Sequence, residues 1–410
     1  MSDEQQNMKR RDFLKAIGAA GMGSLLGPGR AMGSQGLAEG DATATTAKFP
    51  QVPRRILGKT GIQVPCLWQG FHYDLLDKQL VLRKSLEWGV THWNTAYSYS
   101  NGNSELGIGK FFEKNPQARK EVFLVTKASK VDSIDDVEKR LQASLKRMNT
   151  EYIDLYYGVH GMSEPKQFTG ELRHWAESAK KRGLIRYFGV SIHENTTECL
   201  TVAAKLDWID AIMMRYNFRL TQDKKLNKAI DACHKAGIGL IAMKTQAKET
   251  WFRLGRKLTD HFLESGYTEG QAKLKVVLED KRFAAVCISM PSIALLTTNV
   301  AAALDRLKLS QVDRTVLAEY ADETGRGYCA GCSNICNKTV PEAPYISDVM
   351  RFLMYYNGYG EKENARKLYG QIPYAQRQKL LNTDFSRAES LCPQQVAIGE
   401  FMKQAGQKLG

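Results

Sequence analysis

Short apolar runs alternate with longer amphipathic segments from residue 50 onward, and this alternation constrains the fold more than any other feature of the sequence. Between the runs, apolar residues recur at helical spacing, as in DDVEKRLQASLKRMN at 135–149. Apolar strands that alternate with helices are typical of a parallel sheet buried on both faces, and eight of them in about 250 residues predict a closed (β/α)8 TIM barrel. The predicted strands are 64–70, 91–96, 122–128, 153–160, 185–192, 211–217, 238–244 and 284–290.

The rival architecture is an open, doubly wound sheet. A sheet of that kind that binds a dinucleotide carries a G-x-G-x-x-G turn after its first strand, and no such turn follows residues 64–70. The barrel is therefore the favoured fold. Ahead of the first strand, RRILGKTGIQ at 54–63 predicts a hairpin with KTG as its turn, and we expect this hairpin to close the bottom of the barrel.

The N-terminal segment is predicted to be a targeting signal rather than part of the fold. Arg10 and Arg11 precede Phe-Leu-Lys in a twin-arginine pattern, and a mildly apolar run follows at 16–27. That run is too short to cross a bilayer as a helix. The order of these features predicts a twin-arginine signal peptide and linker over residues 1–47, with export to the periplasm. No other segment has 18 uninterrupted apolar residues, so no stable membrane span is expected after signal cleavage.

The formal net charge of +14 favours an anionic substrate or an acidic partner. The lysines and arginines are nevertheless scattered over predicted helices, as in AKKRG at 179–183, without interleaved aromatic residues. Solvated helix faces explain this distribution better than a nucleic-acid surface does, so no nucleic-acid partner is expected.

Four of the eight cysteines form a pattern typical of a metal centre. Cys329, Cys332 and Cys336 are spaced C-x2-C-x3-C, and the distant Cys392 is followed by proline. In ferredoxin-type sites three cysteines come from one loop and the fourth from a distant Cys-Pro, so these four residues are the predicted ligands of one 4Fe-4S cluster. Four thiolates could instead bind zinc, and an exported protein could form disulfides. The remaining cysteines lie alone in apolar sequence and are expected to be buried structural thiols: Cys66, Cys199, Cys233 and Cys287.

Reactive side chains follow three successive predicted strands. Tyr99 comes after the second strand, Lys127 ends the third and His160 ends the fourth. Chemistry in a (β/α)8 barrel belongs at the C-terminal ends of the strands, where these side chains would meet. An ammonium group stabilises a phenolate and lowers the phenol pKa, and an imidazole can orient a carbonyl oxygen. The three residues therefore predict reduction of a carbonyl compound or oxidation of an alcohol.

Four motifs in this spacing resemble the aldo/keto reductases. They are NTAYSYSNGNSE at 94–105, FLVTK at 123–127, DLYYGVH at 154–160 and FGVS at 188–191, and the resemblance covers residues 53–310. It implies that Tyr99 is the catalytic acid and base, that Lys127 lowers its pKa and that His160 orients the substrate. It also implies an NAD(P) site, for which the matching positions are Ser191, Asn217, Lys244, Pro291 and Ser292.

The sequence departs from that family at several positions. Asn94 replaces the aspartate that pairs with the lysine, so Lys127 is expected either to stay charged or to lose its proton through desolvation. We expect the Asn94 amide to be able to accept a hydrogen bond from Lys127. Ile192, Met213 and Met243 replace residues that contact the nicotinamide, and no Lys or Arg near residues 289–299 would bind a 2′-phosphate.

The C-terminal sequence at 388–405 resembles the end of a ferredoxin-like extension that one branch of the aldo/keto reductases carries, and this implies one cluster. Three parts are thus predicted: the signal and linker at 1–47, the barrel at 48–312, and a mainly helical cluster-binding tail at 313–410. A periplasmic enzyme meets no pool of reduced nicotinamide, so export favours a tightly bound NAD(P).

Three hypotheses for the whole protein stay open. In the first, an exported oxidoreductase acts on a small carbonyl or alcohol substrate, and electrons pass through the cluster to a partner. In the second, the protein is a conventional NAD(P)H-dependent reductase with a structural cluster. In the third, the barrel has lost its chemistry and serves as a binding or electron-relay module.

Overall fold

The computed structural model describes residues 49–129, 131–247, 256–264 and 266–410, and the side chains of 256–259 are not among the described features. The predicted signal peptide and linker at 1–47 lie outside the described residues. The division of the chain at residues 47 and 312 stays a prediction.

Eight parallel strands close into a barrel, which confirms the predicted (β/α)8 fold. The first barrel strand pairs with the last, through Leu67 opposite Val286 and Gly70 opposite Ser289. Every predicted run overlaps one of these strands, and the predicted and observed bounds of 185–192 coincide. The barrel strands are β3 Leu67–Gly70, β4 His92–Asn94, β5 Phe123–Lys127, β6 Ile153–Met162, β7 Ile185–Ile192, β8 Ala211–Arg215, β9 Gly239–Met243 and β10 Phe283–Ser289.

A short antiparallel hairpin closes the bottom of the barrel, as predicted. Its strands are β1 Arg54–Ile56 and β2 Gln63–Pro65. Leu57, in the hairpin loop, is fully buried among the side chains that fill the barrel interior. Gly58 has φ of +51° and lies so close to Gly237 that a Cβ atom there would approach the Gly237 carbonyl oxygen to 2.3 Å. Glycine is required at this position because only glycine permits both the conformation and the close contact.

Helices surround the barrel, and polar caps fix where several of them begin. The side chains of Ser133, Thr169 and Asp223 each accept a hydrogen bond from a backbone N–H in the first turn of the helix that follows. A large apolar cluster fills the layer between strands and helices. The helices are α1 Gln79–Glu87, α2 Asn103–Lys114, α3 Ala118–Glu121, α4 Ile134–Arg147, α5 Gly170–Lys181, α6 Thr196–Ala203, α7 Lys224–Lys235, α8 Arg256–Glu264, α9 Glu269–Glu279 and α10 Ile293–Leu304.

The tail is mainly helical, as predicted, and has its own apolar core. Val349, Leu353, Phe401 and Met402 are among the buried side chains of that core. A π-helical turn at Met354–Gly358 follows the third tail helix directly. The tail helices are α11 Gln311–Glu323, α12 Ser333–Thr339, α13 Ile346–Leu353, α14 Lys362–Gly370, α15 Tyr374–Asn382, α16 Ser386–Leu391 and α17 Ile398–Leu409. Within the described ranges, no helix combines the length and the apolar character needed to cross a bilayer.

Candidate active site

The barrel brings Tyr99, Lys127 and His160 together at the C-terminal ends of its strands. The Nζ atom of Lys127 lies 5.0 Å from the centroid of the Tyr99 ring. The Tyr99 and His160 rings are 5.6 Å apart between centroids and nearly perpendicular. A phenol, an amine and an imidazole therefore surround one small volume, as the three strand ends predict.

Lys127 is buried, with 1% of its surface exposed. Its Nζ donates a hydrogen bond to the backbone oxygen of Thr95 at 2.5 Å. Burial lowers the pKa of Lys127 to about 7, and the neighbouring Cys287 and Glu105 oppose that shift. Of the two expected outcomes for this lysine, loss of the proton through desolvation is the one that its surroundings favour.

Asn94 does not accept the hydrogen bond of Lys127, contrary to the expectation from sequence. That bond goes to the Thr95 carbonyl. The Asn94 Oδ1 atom is buried and has no hydrogen-bond partner in the described part of the chain. The Asn94 side chain instead hydrogen-bonds the thiol of Cys287, which lowers the thiol pKa and partly offsets the dominant upward effect of burial. The amide at this position thus leaves the lysine without a compensating charge of the kind that an aspartate would supply.

Tyr99 is a protonated phenol in these surroundings. Burial raises its pKa above the ordinary value, and the nearby Tyr355, Cys287 and Glu361 raise the pKa further. This direction is opposite to the one expected from an adjacent charged lysine, because desolvation of the phenol is the largest effect on its pKa. Tyr99 therefore keeps its proton at neutral pH, but the raised pKa makes it a weaker acid than a free phenol.

His160 is held by a second polar side chain. Ser129 Oγ lies 2.6 Å from His160 Nδ1. Burial, followed by the charges of Lys127, Arg351 and Lys244, lowers the pKa of His160 well below its usual value. The imidazole is therefore neutral and can hydrogen-bond a substrate oxygen through Nε2. Its neighbour His193, with a ring centroid 5.5 Å away, also borders the site.

Two other histidines differ in their position relative to the barrel mouth. His72 lies there, with its ring centroid 6.5 Å from that of Tyr99. His92 does not, because it stacks on Phe123 at the N-terminal end of β5, inside the lower part of the barrel.

Four of the five predicted cofactor-binding residues form two groups. Ser191 and Asn217 are buried and already hydrogen-bonded: Ser191 Oγ accepts from Gly161 N at 3.1 Å, and Asn217 Nδ2 donates to the Tyr328 hydroxyl at 2.9 Å. Pro291 and Ser292 lie at the more open start of helix α10, where Ser292 caps the helix by accepting from Leu295 N. The backbone N–H groups of that first turn could receive a phosphate.

Lys244, the remaining predicted cofactor residue, directly follows β9. Its backbone is left-handed, with φ of +58°. Its Nζ atom lies 5.7 Å from the centroid of the Tyr355 ring, a residue of the tail.

The tail covers the barrel mouth, which sequence reasoning missed. The Tyr328 hydroxyl bonds Asn217, and the Cys329 carbonyl accepts from Arg215 at 2.7 Å. Glu361 pairs with His72 at the opposite side, with Nε2 and Oε1 2.5 Å apart. The sequence contains one signal for this cover by the tail. Arg215 lies inside the apolar run at 211–217, and a buried arginine requires a partner.

The four predicted cluster ligands line one cavity within the tail. Cys329, Cys332, Cys336 and Cys392 share that cavity with apolar side chains that include Ile335 and Val396. Burial and the neighbouring thiols raise the pKa of Cys332 and of Cys336 to about 12. Within the described residues, no three His, Cys, Asp or Glu side chains are grouped so that they could hold a single metal ion.

The other four cysteines are buried and free, as expected for structural thiols: Cys66, Cys199, Cys233 and Cys287.

The comparisons with known proteins agree with this architecture. The family model described as "Aldo/keto reductase family" matches residues 72–265. The chain is 31% identical over 178 residues to "Aldo-keto reductase yakc [NADP(+)]" of Schizosaccharomyces pombe. This match covers 40% of this chain and 50% of the relative. The chain is 27% identical over 228 residues to L-glyceraldehyde 3-phosphate reductase of Escherichia coli. This match covers 50% of this chain and 64% of the relative.

The chain thus spans about half to two thirds of the length of these two relatives. A solved structure of an aldo-keto reductase from Bacillus halodurans, in its holo form, superposes with a TM-score of 0.55 at 22% identity. That match covers 66% of this chain and 96% of the other, and at this identity it shows the fold alone.

Proposed function

We propose that the protein is an oxidoreductase of the aldo/keto reductase type, which interconverts a small carbonyl compound and the corresponding alcohol. The match of residues 72–265 to the aldo/keto reductase family model supports this proposal. The observation that carries this proposal is the convergence of Tyr99, Lys127 and His160 on one volume at the barrel mouth. The turn after β4 supplies Tyr99, and the strands β5 and β6 supply Lys127 and His160.

The roles of the three residues follow from their surroundings. In the direction of reduction, a hydride adds to the carbonyl carbon, the C=O π bond breaks, and the oxygen takes the proton of the Tyr99 hydroxyl. Lys127 shares a proton with the resulting phenolate, since a pKa of about 7 lets the amine accept or return a proton at neutral pH. His160, fixed by Ser129, orients the carbonyl oxygen.

We propose a nicotinamide as the hydride source, because NADP(+) is part of the name of the Schizosaccharomyces pombe relative. Ser191 and Asn217 would contact the nicotinamide, and the helix start at Ser292 would bind a phosphate. The tail already holds Asn217 through Tyr328, so a nucleotide lying beneath it would not exchange freely. This supports a tightly bound cofactor.

For the tail, we propose one 4Fe-4S cluster ligated by Cys329, Cys332, Cys336 and Cys392. Their shared apolar cavity supports this assignment, because such clusters are held by four thiolates and protected from solvent. When bound, the cluster would supply one-electron chemistry or a structural cross-link. We also propose that a partner protein exchanges electrons with the cluster.

For the location, we propose export by the twin-arginine pathway, on the basis of Arg10 and Arg11 alone. Replacing both residues with lysine is expected to leave the protein in the cytoplasm. Fractionation of cells that express each form measures this, and an unchanged distribution would refute export by that pathway.

The function is tested on protein purified without oxygen. Denaturation should release a nicotinamide nucleotide that mass spectrometry identifies, and the wild type should reduce members of an aldehyde panel. Tyr99→Phe should lose at least about 100-fold in kcat with its fold retained by circular dichroism. Unchanged activity in Tyr99→Phe would refute the proposed chemistry. Absence of both nucleotide and turnover, together with a redox-active cluster, would favour an electron-relay module instead.

A further inference from the structure

Three cations gather beneath the tail, beside the candidate active site. Arg215 ends β8, Lys244 follows β9, and Arg351 lies in helix α13. Arg215 is 5% exposed. Arg215 is opposite Met243, the residue before Lys244, in the pairing of β8 with β9. Burial, then Arg215, then Arg351 lower the pKa of Lys244 well below the usual value. The surrounding structure therefore brings three basic side chains together in a poorly hydrated place, where the charged form of Lys244 is destabilised.

Only one of the three cations has carboxylate partners. Arg351 pairs with Glu194 at 3.1 Å and with Asp348. Glu361 of the tail pairs with His72, and the charge of Lys244 also acts on this carboxylate. Across the residues that the structure describes, no carboxylate lies within ion-pair distance of Lys244 or Arg215.

Two nitrogen atoms of this cluster are left without partners. Lys244 Nζ and Arg215 Nε are both buried and make no hydrogen bond within the described residues. Arg215 does use Nη1, which donates to the Cys329 carbonyl. A buried cationic group without a partner is costly, and such groups are normally paired with a charge or with a ligand. The unmet hydrogen-bonding capacity of Lys244 and Arg215 thus points to a group that arrives from outside the chain.

The backbone of Lys244 supports the same conclusion. Its φ of +58° lies in the left-handed region, which residues other than glycine adopt at a cost. Strain of this kind is concentrated at functional sites, where it aims a side chain. Here it places the stem of the lysine under Tyr355 of the tail.

The position of Lys244 relates the cation cluster to the reacting groups. Its charge acts on both His160 and His193, whose rings are 5.5 Å apart. Tyr99, His160 and Lys244 each retain some accessible surface while burial dominates their electrostatics. Each of these three residues is thus half-buried rather than sealed in the core.

We propose that Lys244, with Arg215 behind it, binds an anionic group of the substrate, a carboxylate or a phosphate ester, while the carbonyl oxygen lies at Tyr99 and His160. The assignment of the carbonyl rests on the proposed function; the anion site itself does not. The substrate class is then an anionic aldehyde, ketone or hydroxy compound.

Calorimetric titration of the full chain with matched sugars tests the site without turnover. D-glucose, D-glucuronate and glucose 6-phosphate differ only in having no anion, a carboxylate or a phosphate. The wild type is expected to bind one or both anions at least about tenfold more tightly than glucose, in line with a charged hydrogen bond. Lys244→Met should abolish that preference, and Lys244→Arg should retain most of it. Lys367→Met, which removes a tail lysine that bonds Asn101, is the control and should change nothing.

The outcomes distinguish a carboxylate from a phosphate ligand, and they distinguish failure of the anion site from failure of the proposed function. A preference for glucuronate alone assigns a carboxylate, and a preference for glucose 6-phosphate alone assigns a phosphate. The proposal is overturned if the wild type shows no preference, or if Lys244→Met keeps it. It is also overturned if Lys244→Met releases the nucleotide and leaves sugar binding unchanged, because Lys244 then binds the cofactor. An anion preference in a protein whose Tyr99→Phe variant stays active would refute the proposed chemistry but leave the anion site standing.

Discussion

Replacement of Lys127 by methionine is expected to stabilise the protein, and the gain should depend on pH. Lys127 is buried, and its ammonium has a single hydrogen bond, to the Thr95 carbonyl. A pKa lowered from 10.5 to about 7 corresponds to about 5 kcal/mol of unfavourable free energy for the protonated form in the folded state. The variant loses the bond to Thr95, which offsets about 1–3 kcal/mol. Below pH 7, Lys127→Met should therefore be about 2–4 kcal/mol more stable than the wild type.

The sign of the pH dependence follows from proton binding in the two states. Between pH 7 and pH 10.5 the unfolded chain keeps the Lys127 proton and the folded chain does not. The stability of the wild type therefore rises relative to the variant by about 1.4 kcal/mol per pH unit in this interval. The advantage of the methionine variant should shrink by about 2.5 kcal/mol between pH 6 and pH 9.

Urea denaturation at several pH values, followed by the fluorescence of the barrel tryptophans, measures this difference. Only the difference between wild type and variant matters, because all other titrating groups are common to both. Lys110→Met, on helix α2, controls for the loss of one surface lysine. Parallel stability curves for wild type and Lys127→Met from pH 6 to pH 9 would refute the argument that burial lowers the pKa of Lys127.

Asn94→Asp provides the complementary change. A carboxylate beside Lys127 should raise the lysine pKa by about 1–3 units. In the wild type, the rise in stability with pH begins near pH 7. In Asn94→Asp this rise should begin near pH 8 to 10, and the pH–rate profile should shift in the same direction. Superimposable profiles of Asn94→Asp and the wild type would show that residue 94 does not interact with the lysine.

Further predictions concern the tail and the barrel wall. Cys392→Ser should remove the broad absorption band near 400 nm and lower the iron content from about four atoms per chain towards zero; retention of both would exclude Cys392 as a ligand. Gly109→Ala should lower the free energy of unfolding by about 1–3 kcal/mol, because a Cβ atom would lie 2.1 Å from the Arg147 carbonyl oxygen. Gly170→Ala, where a Cβ atom meets nothing within 4 Å, is its control, and equal urea midpoints for the two variants would contradict the packing argument.

The barrel was predictable because its signal is local. Each strand is a short apolar run, and the run at 185–192 matches the observed strand at both ends. Strand ends also follow from sequence, so the shared location of Tyr99, Lys127 and His160 could be predicted once the strands closed into a barrel. The buried state of Cys287 followed in the same way, from its place in an apolar run.

The sequence by itself thus determined the elements, their order and the side chains at the barrel mouth, because residue periodicity encodes which face of each element is buried. Only the tertiary structure decided the protonation state of those side chains. Tyr355 and Glu361 lie more than 250 residues from Tyr99 in the chain, yet they cover it and raise its pKa. Desolvation depends on everything that packs around a group, and no local pattern records which distant segment will do so. The unpaired cations beneath the tail arise in the same way, from segments that meet only in the folded protein.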